Sequence, residues 1–240
     1  MTTTQFTTLI FVLLTIVSAG HLSVKMKNFN QVLSAIKTKT NYLGSASKFA
    51  VLAGSTVTST GNTSINGSVG VAPGTAITGP INVSGGGIHS ADSAAQNAEN
   101  DLTNGYNTLK NMSGSVNLTG KDLGGMTLAP GVYKFESSCA ISSGTLTLDG
   151  QGNSSAEWVF QIGSTLLAAL STSVNMTNGG SASNVYWQVG SSATLATESN
   201  MCGNIIAYAS ITMNSGARLN GRALARVGAV TLISNNISMN

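Results

Sequence analysis

Charged side chains are scarce in this chain. Asp, Glu, Lys and Arg make up 8% of its 240 residues, against roughly 25% in an average soluble domain. The eight carboxylates leave little material for acid–base catalysis, and they do not cluster. Asp92, Glu99 and Asp101 share one segment, while Asp122, Glu136, Asp149, Glu157 and Glu198 stand apart. Polysaccharide hydrolysis needs converging carboxylates, and no Ser-His-Asp set is evident. The sequence therefore predicts a protein that is not an enzyme, with no small-molecule substrate and no cofactor. Only His21 and His89 accompany the two cysteines, Cys139 and Cys202. Their spacing matches no zinc pattern, so no metal site is expected. The net charge of +3 comes mostly from the early lysines Lys25, Lys27, Lys37, Lys39 and Lys48. No basic stripe interleaved with aromatics follows, which argues against a nucleic-acid partner.

Long apolar runs are also missing, with one exception. Residues 6–17, Phe-Thr-Thr-Leu-Ile-Phe-Val-Leu-Leu-Thr-Ile-Val, precede the small residues Ser18-Ala19-Gly20. This reads as a secretory signal peptide over 1–20, although no Lys or Arg precedes it. A membrane anchor is the alternative, but the run is short against the about 20 apolar residues of a span. The expectation is a secreted, extracellular protein without stable membrane association. In an oxidising compartment Cys139 and Cys202 could form a disulfide; two buried free thiols are the other reading. Residues 21–42 carry a weakly amphipathic pattern and read as an N-terminal extension.

Short strands with few large polar groups fill the rest. Thr145-Leu-Thr-Leu, Ser192-Ala-Thr-Leu-Ala-Thr, Ser210-Ile-Thr-Met-Asn and Ala229-Val-Thr-Leu-Ile alternate apolar residues with Thr, Ser or Ala. That period of two marks a strand with one buried and one exposed face. Trp158-Val-Phe-Gln-Ile-Gly and Tyr186-Trp-Gln-Val-Gly are similar and stand about one coil apart, which points to a solenoid of three-strand coils. A β-sandwich is the alternative on strand pattern alone. The β texture breaks over 89–111. There Ala91, Ala94, Ala95, Ala98, Leu102, Tyr106 and Leu109 recur at helical spacing, with Ser90 as the expected N-cap. Asn-x-Ser/Thr sequons occur at Asn62, Asn66, Asn82, Asn117, Asn153, Asn175 and Asn236. In a secreted eukaryotic protein some could carry glycans, while for most of them chance in an Asn-, Ser- and Thr-rich chain is the preferred reading.

A set of segments in fixed order resembles the microbial ice-binding (antifreeze) protein family. They are Leu43-Gly-Ser-Ala-Ser-Lys-Phe-Ala-Val-Leu-Ala-Gly, Ile65-Asn-Gly-Ser-Val-Gly-Val-Ala-Pro-Gly-Thr-Ala-Ile-Thr-Gly, Gly124-Gly-Met-Thr-Leu-Ala-Pro-Gly-Val-Tyr-Lys, Glu157-Trp-Val-Phe-Gln-Ile, Ala182-Ser-Asn-Val-Tyr-Trp-Gln-Val and Met213-Asn-Ser-Gly-Ala-Arg-Leu-Asn-Gly-Arg-Ala-Leu-Ala. Together they cover nearly everything from residue 43 to the end. The resemblance implies a mainly β fold over 43–240: a right-handed, discontinuous parallel β-solenoid of triangular cross-section, with the helix alongside. It also implies that one flat face adsorbs to the surface of an ice crystal, giving thermal hysteresis and blocking recrystallisation. A monomer is expected.

Alternation nominates the exposed residues of that face. With Leu146, Leu148, Leu166, Ala168, Ala193, Leu195, Ile211, Met213, Val230 and Leu232 pointing in, the outward set is Thr145, Thr147, Thr165, Leu167, Ala169, Ser192, Thr194, Ala196, Ser210, Thr212, Asn214, Ala229 and Thr231, joined by Thr78. The expected central column runs Thr147, Leu167, Thr194, Thr212, Thr231. Uncharged hydroxyl and methyl groups on such a grid suit ordered water, whereas an ion would orient water radially. An extracellular module binding a crystalline polysaccharide is the competing function. It calls for exposed aromatic rings, which the nominated face lacks.

Overall fold

The computed structural model describes residues 40–239. The expected signal peptide and all of the expected extension up to residue 39 lie outside the described residues. The compact unit starts at Asn41, two residues before the expected boundary, because Tyr42 packs edge-on against Tyr186 at 5.1 Å.

Parallel strands stack in three faces. The first carries, in spatial order, Ile88–Ser90, Ser68–Val71, Phe49–Ala53, the second halves of Arg218–Ala225 and Asn200–Ala207, then Val185–Val189, Trp158–Ile162, Gly131–Phe135 and Val116–Asn117. The second is a separate 7-stranded sheet: Cys139–Ile141, Leu166–Ala168, Ala193–Leu195, Ile211–Met213, Val230–Ile233, Thr56–Thr60 and Ala76–Thr78. The third carries Thr127–Leu128, Thr145–Asp149, Ser173–Thr177, the first halves of Asn200–Ala207 and Arg218–Ala225, then Asn236–Ser238, Thr63–Asn66 and Ile81–Ser84. These are called below the covered, threonine and asparagine faces. The stacking is a β-solenoid, and its order is not chain order. The last coil, 230–238, pairs with the first, 56–66.

Two long strands bend round the corner between the covered and asparagine faces. They turn at Gly203 (φ +107°) and Gly221 (φ +150°), which are paired in register. A side chain on Gly221 would overlap the Gly203 carbonyl oxygen, so the two coils meet backbone to backbone. The corner between the threonine and asparagine faces uses one left-handed residue per coil: Gly144, Ser171, Glu198, Gly216, Ser234, Gly61 and Gly79.

Inward residues fill the solenoid with one continuous apolar cluster. The repeated Trp-Val-Phe-Gln and Val-Tyr-Trp-Gln motifs build an aromatic stack within it. Phe160 and Trp187 lie nearly parallel at 4.0 Å, and Tyr133 extends the stack at 5.6 Å from Phe160. A second cluster holds the helix Ser93–Lys110 to the covered face through Ala98, Leu102, Tyr106 and Leu109 against Val159, Tyr186, Ile206 and Leu224. The covered strands are therefore apolar on both sides. Gln161 Nε2 donates to the carbonyl oxygens of Leu109 and Met112, fixing the helix end.

The helix starts later than the sequence predicts. His89 and Ser90 belong to a strand paired with Gly70 and Val71, and Ser90 Oγ donates to the Thr75 carbonyl. Asp92 is the N-cap instead, accepting from the Ala95 N–H at 2.9 Å. That bond, followed by the one to His89, lowers the Asp92 pKa. Ala91 lies outside the helix with φ +49°.

Candidate functional site

Burial agrees with the alternation on every strand used for it: Leu146, Leu148, Leu166, Ala168, Ala193, Leu195, Ile211, Met213, Val230 and Leu232 all point into the core. Their Thr, Ser and Ala neighbours point out, but not all to one face.

On the threonine face the register is continuous. Ala140 pairs with Leu167, Leu167 with Thr194, Thr194 with Thr212, and Thr212 with Thr231. Thr231 pairs with Thr58, and Thr58 with Thr78. Five consecutive coils therefore present threonine at the same position. Strand spacing sets the repeat along this column at about 4.8 Å, and alternate residues along a strand at about 6.7 Å set the repeat across it. Thr165, Ser192, Ser210, Ala229 and Thr56 form the column on one side. Ala169, Ala196, Asn214, Ile233 and Thr60 stand on the other. None of these outward residues is charged or aromatic.

Some side-column hydroxyls are held by the backbone or by each other. Ser192 Oγ accepts from the Ser210 N–H, Ser210 Oγ accepts from the Ala229 N–H, and Thr165 Oγ1 donates to Ser138 Oγ at 2.8 Å. The central threonines differ: among the described residues, the hydroxyls of Thr194, Thr212, Thr231, Thr58 and Thr78 have no protein partner. They remain free to bond water. Their β-branched side chains have few rotamers to lose when they do so.

Thr145 and Thr147 are outward but belong elsewhere. The chain turns the corner at Gly144 (φ +70°), and Thr147 pairs with Thr127 and Asn175 on the asparagine face. Ala140 takes the place on the threonine face expected for Thr147. Alternation is the same on two adjacent exposed faces, so it cannot tell them apart. Thr56, Thr58 and Thr60 extend the face although the sequence pattern does not nominate them. Their strand, Thr-Val-Thr-Ser-Thr, alternates correctly, but its inward Ser59 hides the pattern. Buried Ser59 bonds Thr63 Oγ1 at 2.8 Å, which satisfies it in the core.

The other two faces are poorer candidates for a flat surface. The helix occupies the covered face. The asparagine face mixes Asn66, Asn82, Asn175, Asn200 and Asn236 with Arg218 and Asp149, so charges and forked amides interrupt its columns. Its four sequon asparagines, Asn66, Asn82, Asn175 and Asn236, are all exposed and face away from the threonine face.

The cysteines do not form the disulfide. Both are buried free thiols. Cys139 lies two stacked strands from the Ala193–Leu195 coil that leads into Cys202. That is about 9.6 Å at the usual strand spacing, beyond the about 7 Å reach of a disulfide's Cα atoms. Burial pushes the Cys202 thiol up to about 12 and Cys139 higher still, where Asp122 adds to the effect. Among the described residues, no cluster of three His, Cys, Asp or Glu could hold a metal ion, and no helix is long and apolar enough to cross a membrane.

Comparison with known proteins agrees with this architecture. The ice-binding protein of Nostoc sp. (strain HG1) is 49% identical over 198 residues, spanning 82% of this chain and 73% of that protein. The crystal structure of an ice binding protein from an Antarctic Biological Consortium superposes with a TM-score of 0.79 at 47% identity, over 82% of this chain and 89% of the other. The ice-binding protein of the Antarctic ascomycete Antarctomyces psychrotrophicus gives 0.77 at 42% identity, over 82% and 96%. The model of the ice-binding-like family matches residues 51–238, and the chain belongs to that family.

Proposed function

We propose that this protein binds ice through the threonine face, lowering the freezing point of water and inhibiting recrystallisation, and that it does so as a secreted monomer. The observation that carries the reading is the column Thr194, Thr212, Thr231, Thr58, Thr78, in register and with hydroxyls unoccupied by the protein. Each hydroxyl can hold one water of an ordered layer while its methyl group orders the neighbours without binding them. The contacts are individually weak, but the rigid solenoid makes them together. Ice held at many such points grows as curved fronts between adsorbed molecules, and curvature lowers its freezing point. Secretion is supported by the apolar run at 6–17 with small residues after it, and it would place the protein where extracellular ice forms.

A polysaccharide-binding function finds no support on this face, which carries no aromatic ring. Exposed Tyr208 packs near Tyr106, at the helix side of the molecule. The test is thermal hysteresis, with crystal shape recorded, for the purified protein and for Thr212→Tyr. A freezing gap with faceted crystals, lost in the variant at unchanged circular dichroism, is expected. No gap from folded wild-type protein would refute ice binding. A gap that survives Thr212→Tyr would move the site to another face.

A further inference from the structure

We infer that the ice contact occupies only the five-threonine part of the threonine face, and that Leu167 is its boundary. This inference rests on ice binding by that face. The central column is level from Thr78 through Thr58, Thr231 and Thr212 to Thr194, because one side chain repeats. It changes abruptly at the next coil. Leu167 is 41% exposed; it extends one bond further from the backbone than threonine and has no polar atom. Beyond it Ala140 stops at Cβ. The surface therefore rises and then falls within two coils, and the hydroxyl row ends. Leu170, 65% exposed at the adjoining corner, widens the apolar ledge.

A water layer templated by regularly spaced hydroxyls cannot continue across that step. Five threonines span four strand spacings, about 19 Å, of a whole column of six spacings, about 29 Å. The contact so defined has Thr231 at its middle.

The test sets Leu167→Ala, which adds no bulk, beside Thr212→Tyr, with melting curves showing that both fold. Truncation outside the contact should leave hysteresis within about twofold of wild type, since it lies beyond the last ordered threonine. A tyrosine at Thr212, inside the contact, should abolish it. Equal loss in both variants would show that the whole face touches ice and would overturn the boundary. Retention in both would refute the threonine face itself, and this inference with it. Leu167→Thr provides the converse: it lengthens the row to six threonines and should raise hysteresis. No gain there would overturn the role of Leu167.

Discussion

Thr194 and Leu195 are chain neighbours that face opposite ways, so replacing each separates function from stability. Leu195 is fully buried, flanked in register by Ala168 on one coil and Met213 on the other. Leu195→Ala removes three carbons, which at about 0.8 kcal/mol each is roughly 2.4 kcal/mol of transfer free energy. The cavity adds to this, because stacked strands hold the surrounding backbone apart and Ala168 is too small to fill the space. The total should fall within about 2–5 kcal/mol. For a domain of this size each kcal/mol lowers the melting temperature by roughly 2–4 °C, so a drop of roughly 4–20 °C is expected. Denaturant titration at constant m-value and calorimetry would measure it. Thr194→Leu should change stability by no more than about 0.5 kcal/mol, as a substitution on the outward surface of a half-buried position, yet cut hysteresis. A loss below about 0.5 kcal/mol for Leu195→Ala would refute the inward assignment, and with it the argument that turns Thr194 outward.

Three further outcomes follow from the corners and the helix. Gly221→Ala should cost at least about 3 kcal/mol, or prevent folding, because its Cβ would overlap the facing Gly203 backbone. Gly216→Ala, left-handed at φ +71° but meeting only Glu198 at ordinary contact distance, should cost about 1–2 kcal/mol by the same denaturant titration. Glu99 is lifted from 4.5 to about 8 by burial, with Arg226 opposing the shift, and its Oε1 has no hydrogen-bond partner. The folded state thus binds a proton more tightly than the unfolded state. Its contribution is full below pH 4.5 and is lost as pH rises toward 8. Urea midpoints should fall over that window in wild type, and Glu99→Gln should flatten the fall; an equal slope in the variant would assign the effect to other groups.

Much of the fold is legible in the sequence because local pattern and tertiary role coincide. Alternation on Ala193–Leu195 or Val230–Ile233 states which side is core, and the small-residue face of 94–109 states that a helix lies flat on a sheet. What alternation lacks is the identity of the face. Thr147 and Thr194 have the same local pattern, and only the turn at Gly144 sends one of them round the corner. The start of the helix is not legible locally because Ser90 and Asp92 are both good caps, and a distant strand, Ser68–Val71, decides between them by pairing with Ser90. The strand Thr56–Thr60 was hidden by a buried serine whose partner, Thr63, lies around the next corner.

The pairing of residues 230–238 with residues 56–66 places a closure seam through the threonine column, since Thr231 lies against Thr58 from far earlier in the chain. During synthesis residues 56–66 emerge well before residues 230–238 and wait, with an open strand edge, for that segment to arrive. Such distant pairing is slow to form and leaves that edge exposed meanwhile. Without Val230–Ile233 the column is broken in its middle, because neighbouring rows come from distant parts of the chain. The threonine column is thus complete only once Val230–Ile233 has docked against Thr56–Thr60.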